Sequence, residues 1–331
     1  MRMDDLREYK LNVEAAGHGD VPRFLRGDTD LSVTAEELLH AVVTCAIPEE
    51  GAFGDYPGRA VGDLNRRLSI VEYALDASGE YLRKSGGILE LDESIRSTVS
   101  YYLGMFFTRL VSGKIYATDY LVPLPNIRQE GGLPGVRYQG RRRADLIGCG
   151  GKAAAGNDMV FSVWEAIGRS NNSGPALAEG CRQAGEITEI CGREPEAATA
   201  CMIYYGAKCL SVRVRETEKT ELPEGEAEEN RQGLALSFSP ADYFRAYYRT
   251  AYRLLEECYE RESLKNRLVM GEDRLEAELV VTGGRRLAVG MPRDIFFAVR
   301  ERDDEGLLKA AAQLGAKAGE AFADRITVSF R

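Results

Sequence analysis

RADLIG (143–148) and VFSVWEAIGRS (160–170) are the two stretches on which the fold turns. Both are short and bounded by glycine or charge, and the second is rich in β-branched residues, which suits strands rather than helices. Each carries one carboxylate, Asp145 or Glu165. In an extended strand alternate residues share a face, so Arg143, Asp145 and Ile147 form one set and Glu165, Ile167 and Arg169 another. Between them lies GCGGKAAAG (148–156). A P-loop would need glycine where Leu146 stands and Ser or Thr where Ala153 stands. A dinucleotide fingerprint would need a helix, but only KAAAGN (152–157) is available, and Gly156-Asn157-Asp158 is turn chemistry. A hairpin of two antiparallel strands is the simpler reading. If it brings the two faces together, Asp145 and Glu165 converge on one point and can hold a hard divalent cation through oxygen.

Around this hairpin the chain alternates in type. TAEELLHAVVTCAI (34–47) has helical apolar spacing with Thr34 as N-cap, and a second helix is predicted over about 59–84. A third begins near LDES and runs to about Gly113, a natural stop. The strand-like runs IYATDYLVPL, RADLIG, MVFSVWEAI, ATACMIYY and CLSVRVRE follow, interrupted by one helix at about 174–190. Ser170 and Ser173 precede that helix, and capping ahead of Pro175 suits them better than nucleophilic catalysis, since no GxSxG frame surrounds them. After an acidic stretch (216–230) comes a strong helix over 240–262, whose tyrosines at 243, 247, 248, 252 and 259 fall mostly on one side. Such a stripe suits packing, with base stacking as the alternative. LEAELVVTGG, RRLAVGM and IFFAVRE then predict a meander, followed by a helix at 304–322 and a last strand, RITVSF.

The expected fold class is therefore α/β: a mixed central sheet flanked by helices, with a helical N-terminal region and an α/β C-terminal extension. The expected divisions are 1–113 helical, 114–216 core, 217–235 acidic linker or loop, and 236–331 C-terminal region.

With 44% hydrophobic and 29% charged residues among 331, the chain has an ordinary globular composition and length enough for a large core. No apolar run reaches membrane-spanning length and the N-terminus has no apolar signal core, so no membrane role and a cytoplasmic location are expected. Seven cysteines without CxxC spacing read as reduced, mostly buried thiols. The net charge of −9 argues against a general nucleic-acid coat protein. Arg137, Arg141, Arg142 and Arg143, with Arg169 beyond Glu165, are either a solvated loop or a local phosphate contact. Only His18 and His40 are present, which removes most histidine-based triads and metal sites.

A strand with Asp145, a hairpin, a strand ending in Glu165-Ala166-x, a helix with Arg182 and Gln183, then two strands: this order resembles the PD-(D/E)xK nuclease superfamily, with its restriction-endonuclease-like core, over about residues 90–216. The resemblance implies Asp145 and Glu165 as ligands of Mg²⁺ or Mn²⁺, with Glu93 on the preceding helix as a further acidic ligand and Gln183 as the polar residue of the following helix. It implies metal-dependent hydrolysis of DNA, in prokaryotic genome or antiviral defence, or in repair. In place of the family's Glu-Ala-Lys-Gly-Arg, this chain has Glu-Ala-Ile-Gly-Arg, so Ile167 occupies the lysine position. Arg169 and Lys152 are the substitutes at hand, although arginine, permanently protonated, is a poor proton acceptor. The alternative is an inactive nuclease fold that binds nucleic acid or serves as a protein-assembly subunit. The sequence leaves the oligomeric state open.

Overall fold

A computed structural model describes residues 8–16, 27–45, 58–129, 144–150, 159–217, 233–260, 266–315 and 322–331. His18, the arginines at 137 and 141–143, Lys152 and most of the acidic stretch lie outside these residues. The chain opens with β1 (Glu8–Ala16) and β2 (Gly27–Thr34), then α1 (Ala35–Thr44), α2 (Arg59–Ala74) and the short pair β3 (Leu75–Asp76) and β4 (Arg83–Lys84). Next come α3 (Glu93–Tyr116), β5 (Tyr120–Pro123), α4 (Leu124–Gln129), β6 (Leu146–Cys149), β7 (Phe161–Arg169) and α5 (Gly174–Ala184). β8 (Ile187–Ile190), β9 (Ala197–Tyr205), β10 (Leu210–Glu216), β11 (Leu234–Leu236) and α6 (Pro240–Glu260) follow. The chain closes with β12 (Arg267–Met270), β13 (Arg274–Val280), β14 (Arg286–Pro292), α7 (Arg293–Glu301), α8 (Asp304–Gly315) and β15 (Thr327–Phe330).

Seven strands form one mixed sheet in the order β2-β1-β10-β9-β7-β6-β5. The β5–β6–β7 segment is an antiparallel meander, so RADLIG and VFSVWEAIGRS do pair as a hairpin. β7 then pairs with β9 in parallel, and that pairing requires a crossover, which α5 supplies. Ser173 caps α5, its hydroxyl accepting from the Ala176 N–H. α3 covers one face of the sheet and α5 the other. The α3 contact is backbone on backbone: a Cβ on Gly168 would stand 1.7 Å from the Ser100 carbonyl oxygen, and one on Gly104 would stand 2.9 Å from the Gly168 nitrogen. Glycine is needed at both positions because the strand and helix leave no room for a side chain. Trp164, on the same face as Gly168, packs edge-on against Tyr116 of α3 at 5.0 Å.

A second sheet, β12-β13-β14-β15, is wholly antiparallel, and α6 packs against both sheets. The Tyr243 hydroxyl donates to the carbonyls of Tyr120 and Ile147, on β5 and β6. Tyr243, Tyr247 and Tyr248 are fully buried, so this part of the tyrosine stripe is packing. One cluster of buried apolar residues runs from Tyr9 to Val328.

The N-terminal third is not all helical as expected. Tyr9, Leu11, Val13 and Ala15 alternate inward along β1, which extends the central sheet through a parallel pairing with β10. Thr34 does cap α1, in a full capping box with Glu37. The second helix stops at Ala74 rather than near 84, and β3–β4 follows. α3 runs past Gly113 to Tyr116 and ends at Ala117, which takes the left-handed conformation. The chain after α5 turns at Gly185 into β8, which pairs with β11. IFFAVRE is helix α7, because Ile295, Phe296, Ala298 and Val299 bury one helical face. The helix begun at 304 is described only to Gly315.

Candidate functional site

Asp145 immediately precedes β6 and leaves the regular ladder. Its N–H donates to the Trp164 carbonyl at 3.1 Å, while its carboxylate accepts from the Ala166 N–H at 3.2 Å. Both bonds go to the residues flanking Glu165, which ties Asp145 to β7 on either side of that residue. On the sheet face covered by α5, Glu165 Cγ lies 3.3 Å from where a Cβ on Gly180 would be. Glu165 is buried and Asp145 half-buried. Burial pushes the Asp145 carboxyl up to about 6, against the pull of the Ala166 N–H. Tyr101 of α3, at the surface, lies within electrostatic reach of Asp145, Cys45 and Glu165. Its hydroxyl is raised by burial first and by these groups second.

The raised carboxyl has a measurable consequence. Its folded-state value exceeds the unfolded one, so ionisation disfavours the folded chain. The contribution of Asp145 to stability is highest below about pH 4, declines as pH rises to about 6, and stays lower above. Asp145→Asn keeps an acceptor for Ala166 without the charge. The expected result is a gain of about 1–3 kcal/mol at neutral pH that vanishes below about pH 4, read by denaturant unfolding at the two pH values.

Other residues singled out in the sequence are placed less centrally. Glu93 is exposed at the first turn of α3, about 10 Å of helix beyond Ser100. It does not join the pair, and among the described residues no three of His, Cys, Asp or Glu group together as metal ligands. Arg169 is exposed at the end of β7. Gln183 is buried and donates to Glu179 of its own helix at 2.9 Å. Ile167 is 9% exposed and packs with Leu177, Cys181, Ala200 and Met202. It is tightly seated, since a Cβ on Gly180 would meet its Cδ1 at 2.4 Å. All seven cysteines are free, and most are buried.

A polar cluster that the sequence did not reveal lies in the core. His40 Nε2 meets the Asp324 carboxylate at 2.9 Å, the Tyr247 hydroxyl donates to the same carboxylate, and Arg109 stands 3.9 Å away. Arg109 also donates to Tyr247 and to the carbonyls of Thr118 and Asp119. Burial, outweighing Asp324, pushes His40 down and keeps it neutral. Burial would raise Asp324, yet His40, Arg109 and Tyr247 together hold it below the usual carboxylate range. Every one of these side chains is buried, so the cluster ties α1, α3, α6 and the last turn together rather than meeting a substrate.

No protein-family model matches the chain, and neither a curated protein nor a solved structure does. No helix among the described residues is long and apolar enough to cross a membrane.

Proposed function

We propose that the chain is a nuclease-like protein in which Asp145 and Glu165 hold Mg²⁺ or Mn²⁺ for hydrolysis of DNA phosphodiesters, in prokaryotic genome defence or repair. The observation that carries this is the double attachment of Asp145 to the backbone on either side of Glu165, which anchors it to the strand that carries the second carboxylate. The path supports it as well: α3, the meander β5–β6–β7, the crossover α5, then parallel β9 and antiparallel β10 follow the order that the resemblance implies. The biological role is an analogy of architecture.

An oxygen-only pair fits Mg²⁺ and Mn²⁺, which are commonly held by one or two carboxylates with water and substrate phosphate completing the shell. When bound, such an ion neutralises phosphoryl charge and lowers the pKa of water for attack at phosphorus. Asp145 is oriented for this by the Ala166 N–H, and Glu165 by its seat beneath α5. Ile167, Leu177 and Met202 wall the α5 side of β7 with apolar atoms. Arg169, exposed at the end of β7, would steady a phosphate but not accept a proton.

The seat of Ile167 favours a second reading, a nucleic-acid-binding or protein-assembly module that kept the fold without cleavage. A lysine there would have to enter the apolar cluster beneath Gly180, and Ile167→Lys is expected to cost about 1–3 kcal/mol of stability. The deciding assay incubates linear, plasmid and single-stranded DNA, and RNA, with Mg²⁺ or Mn²⁺. Wild type is compared with the double variant Asp145→Ala, Glu165→Ala. Metal-dependent cleavage of DNA lost in the double variant is the expected result. A wild type inert on every substrate removes the enzymatic reading, and binding of DNA without cleavage then selects the second one.

A further inference from the structure

On α6 the residues Arg245, Arg249, Tyr252, Arg253 and Glu256 recur at helical spacing and form one stripe. They face the end of α7, where Val299, Arg300 and Arg302 complete a cavity of about 250 Å³. Five guanidinium groups and one carboxylate, Glu256, therefore line one depression on a chain whose net charge is −9. Arginines of α6 and α7 thus converge on one depression, and an anion there would meet several guanidinium groups at once, beside the carboxylates that already hold Arg245.

The arginines are held in place by the fold. Arg245 is 8% exposed and binds Asp242 at 2.6 Å as well as Asp304. The Arg300 guanidinium lies over the Tyr259 ring at 4.1 Å. The Tyr252 hydroxyl donates to Glu256, which draws that carboxylate to the tyrosine. Arg302 caps α7 in the left-handed conformation, with φ 55°, a position that glycine would fill more easily.

We propose that this cavity binds a compact, multiply charged phosphate, of the kind carried by pyrophosphate or a nucleoside polyphosphate. Its cations are all arginine, with no lysine, and the planar fork of arginine pairs with phosphate oxygens through two parallel hydrogen bonds. The volume falls below that of pockets for drug-sized ligands, and the charged lining excludes an apolar one. Because α6 and α7 carry none of the residues assigned to the carboxylate pair, the site stands or falls independently of the nuclease reading.

The test is calorimetric titration of the full chain with pyrophosphate and with ATP, at constant ionic strength, against sulfate and adenosine as controls. Saturable binding of pyrophosphate and ATP, with neither control binding, is expected. Arg249→Ala with Arg253→Ala is expected to weaken it at least tenfold, and Arg249→Lys with Arg253→Lys to restore only part. Arg302→Gly removes a guanidinium while relieving the left-handed backbone, so its loss of affinity, with unfolding unchanged or improved, separates binding from folding. Pyrophosphate binding no tighter than sulfate, or unchanged in all three variants, overturns the proposal. So does binding seen only with a DNA oligonucleotide, which would make the arginines a contact for a polymer backbone.

Discussion

Replacing Asp324 with Asn is expected to lower the unfolding free energy by about 3–5 kcal/mol, because it strips the counter-charge from a buried arginine. Asp324 is 1% exposed and gathers bonds from four directions: His40, Tyr247, the Ile326 N–H and the charge of Arg109. Asparagine preserves the shape but leaves Arg109 charged, buried and uncompensated. Denaturant midpoints measure the loss. Pairing the change with Arg109→Met removes both charges and returns part of it, though the Thr118 and Asp119 carbonyls then lose their donor. The cluster also sets a pH dependence. His40 is held below its ordinary value, so the unfolded chain takes up a proton that the folded chain refuses. The contribution of His40 to stability falls as pH drops below about 6.5, the ordinary value of histidine, opposite in sign to that of Asp145. A loss under about 1 kcal/mol in Asp324→Asn would show that the pair is not the buried anchor described.

The second large effect is at Gly168. Alanine there puts a methyl group 1.7 Å from the Ser100 carbonyl oxygen, where only movement of α3 or β7 can relieve the overlap. A cost of about 3 kcal/mol is expected from that strain. The same shift would disturb the site, because Ala166, which anchors the Asp145 carboxylate, lies two residues away on the same face of β7. Gly62 is the control: it lies within α2, where a Cβ meets nothing within 4 Å. Gly62→Ala should stabilise the chain by about 0.5–1 kcal/mol. Thermal melts of the two variants therefore shift in opposite directions. Equal shifts would mean that helix and strand are not in backbone contact at Gly168.

These residues show which parts of the molecule can be read from its sequence. The hairpin carrying Asp145 and Glu165 was legible because two short strand-like runs flank turn chemistry. β1 carried an equally plain signal, the alternation of Tyr9, Leu11, Val13 and Ala15, but it was submerged in a region read as helical. IFFAVRE was ambiguous in principle, since a short apolar run fits a buried strand or a buried helix face. The seat of Ile167 depends on Gly180 across the crossover, and the pairing of His40 on Asp324, 284 residues away. No local pattern encodes contacts of that range. The arginine stripe on α6 was not read from the sequence, and its meaning comes from α7 standing opposite.

The carboxylate pair is the centre of the functional account, and metal binding tests it without requiring turnover. Mn²⁺ should be titrated calorimetrically into the full wild-type chain and into Asp145→Asn and Glu165→Gln at neutral pH. The account predicts saturable binding by wild type that weakens below about pH 6, as Asp145 takes up its proton, and that is lost in either variant. Mn²⁺ binding that is absent in wild type, or unchanged in both variants, would contradict it.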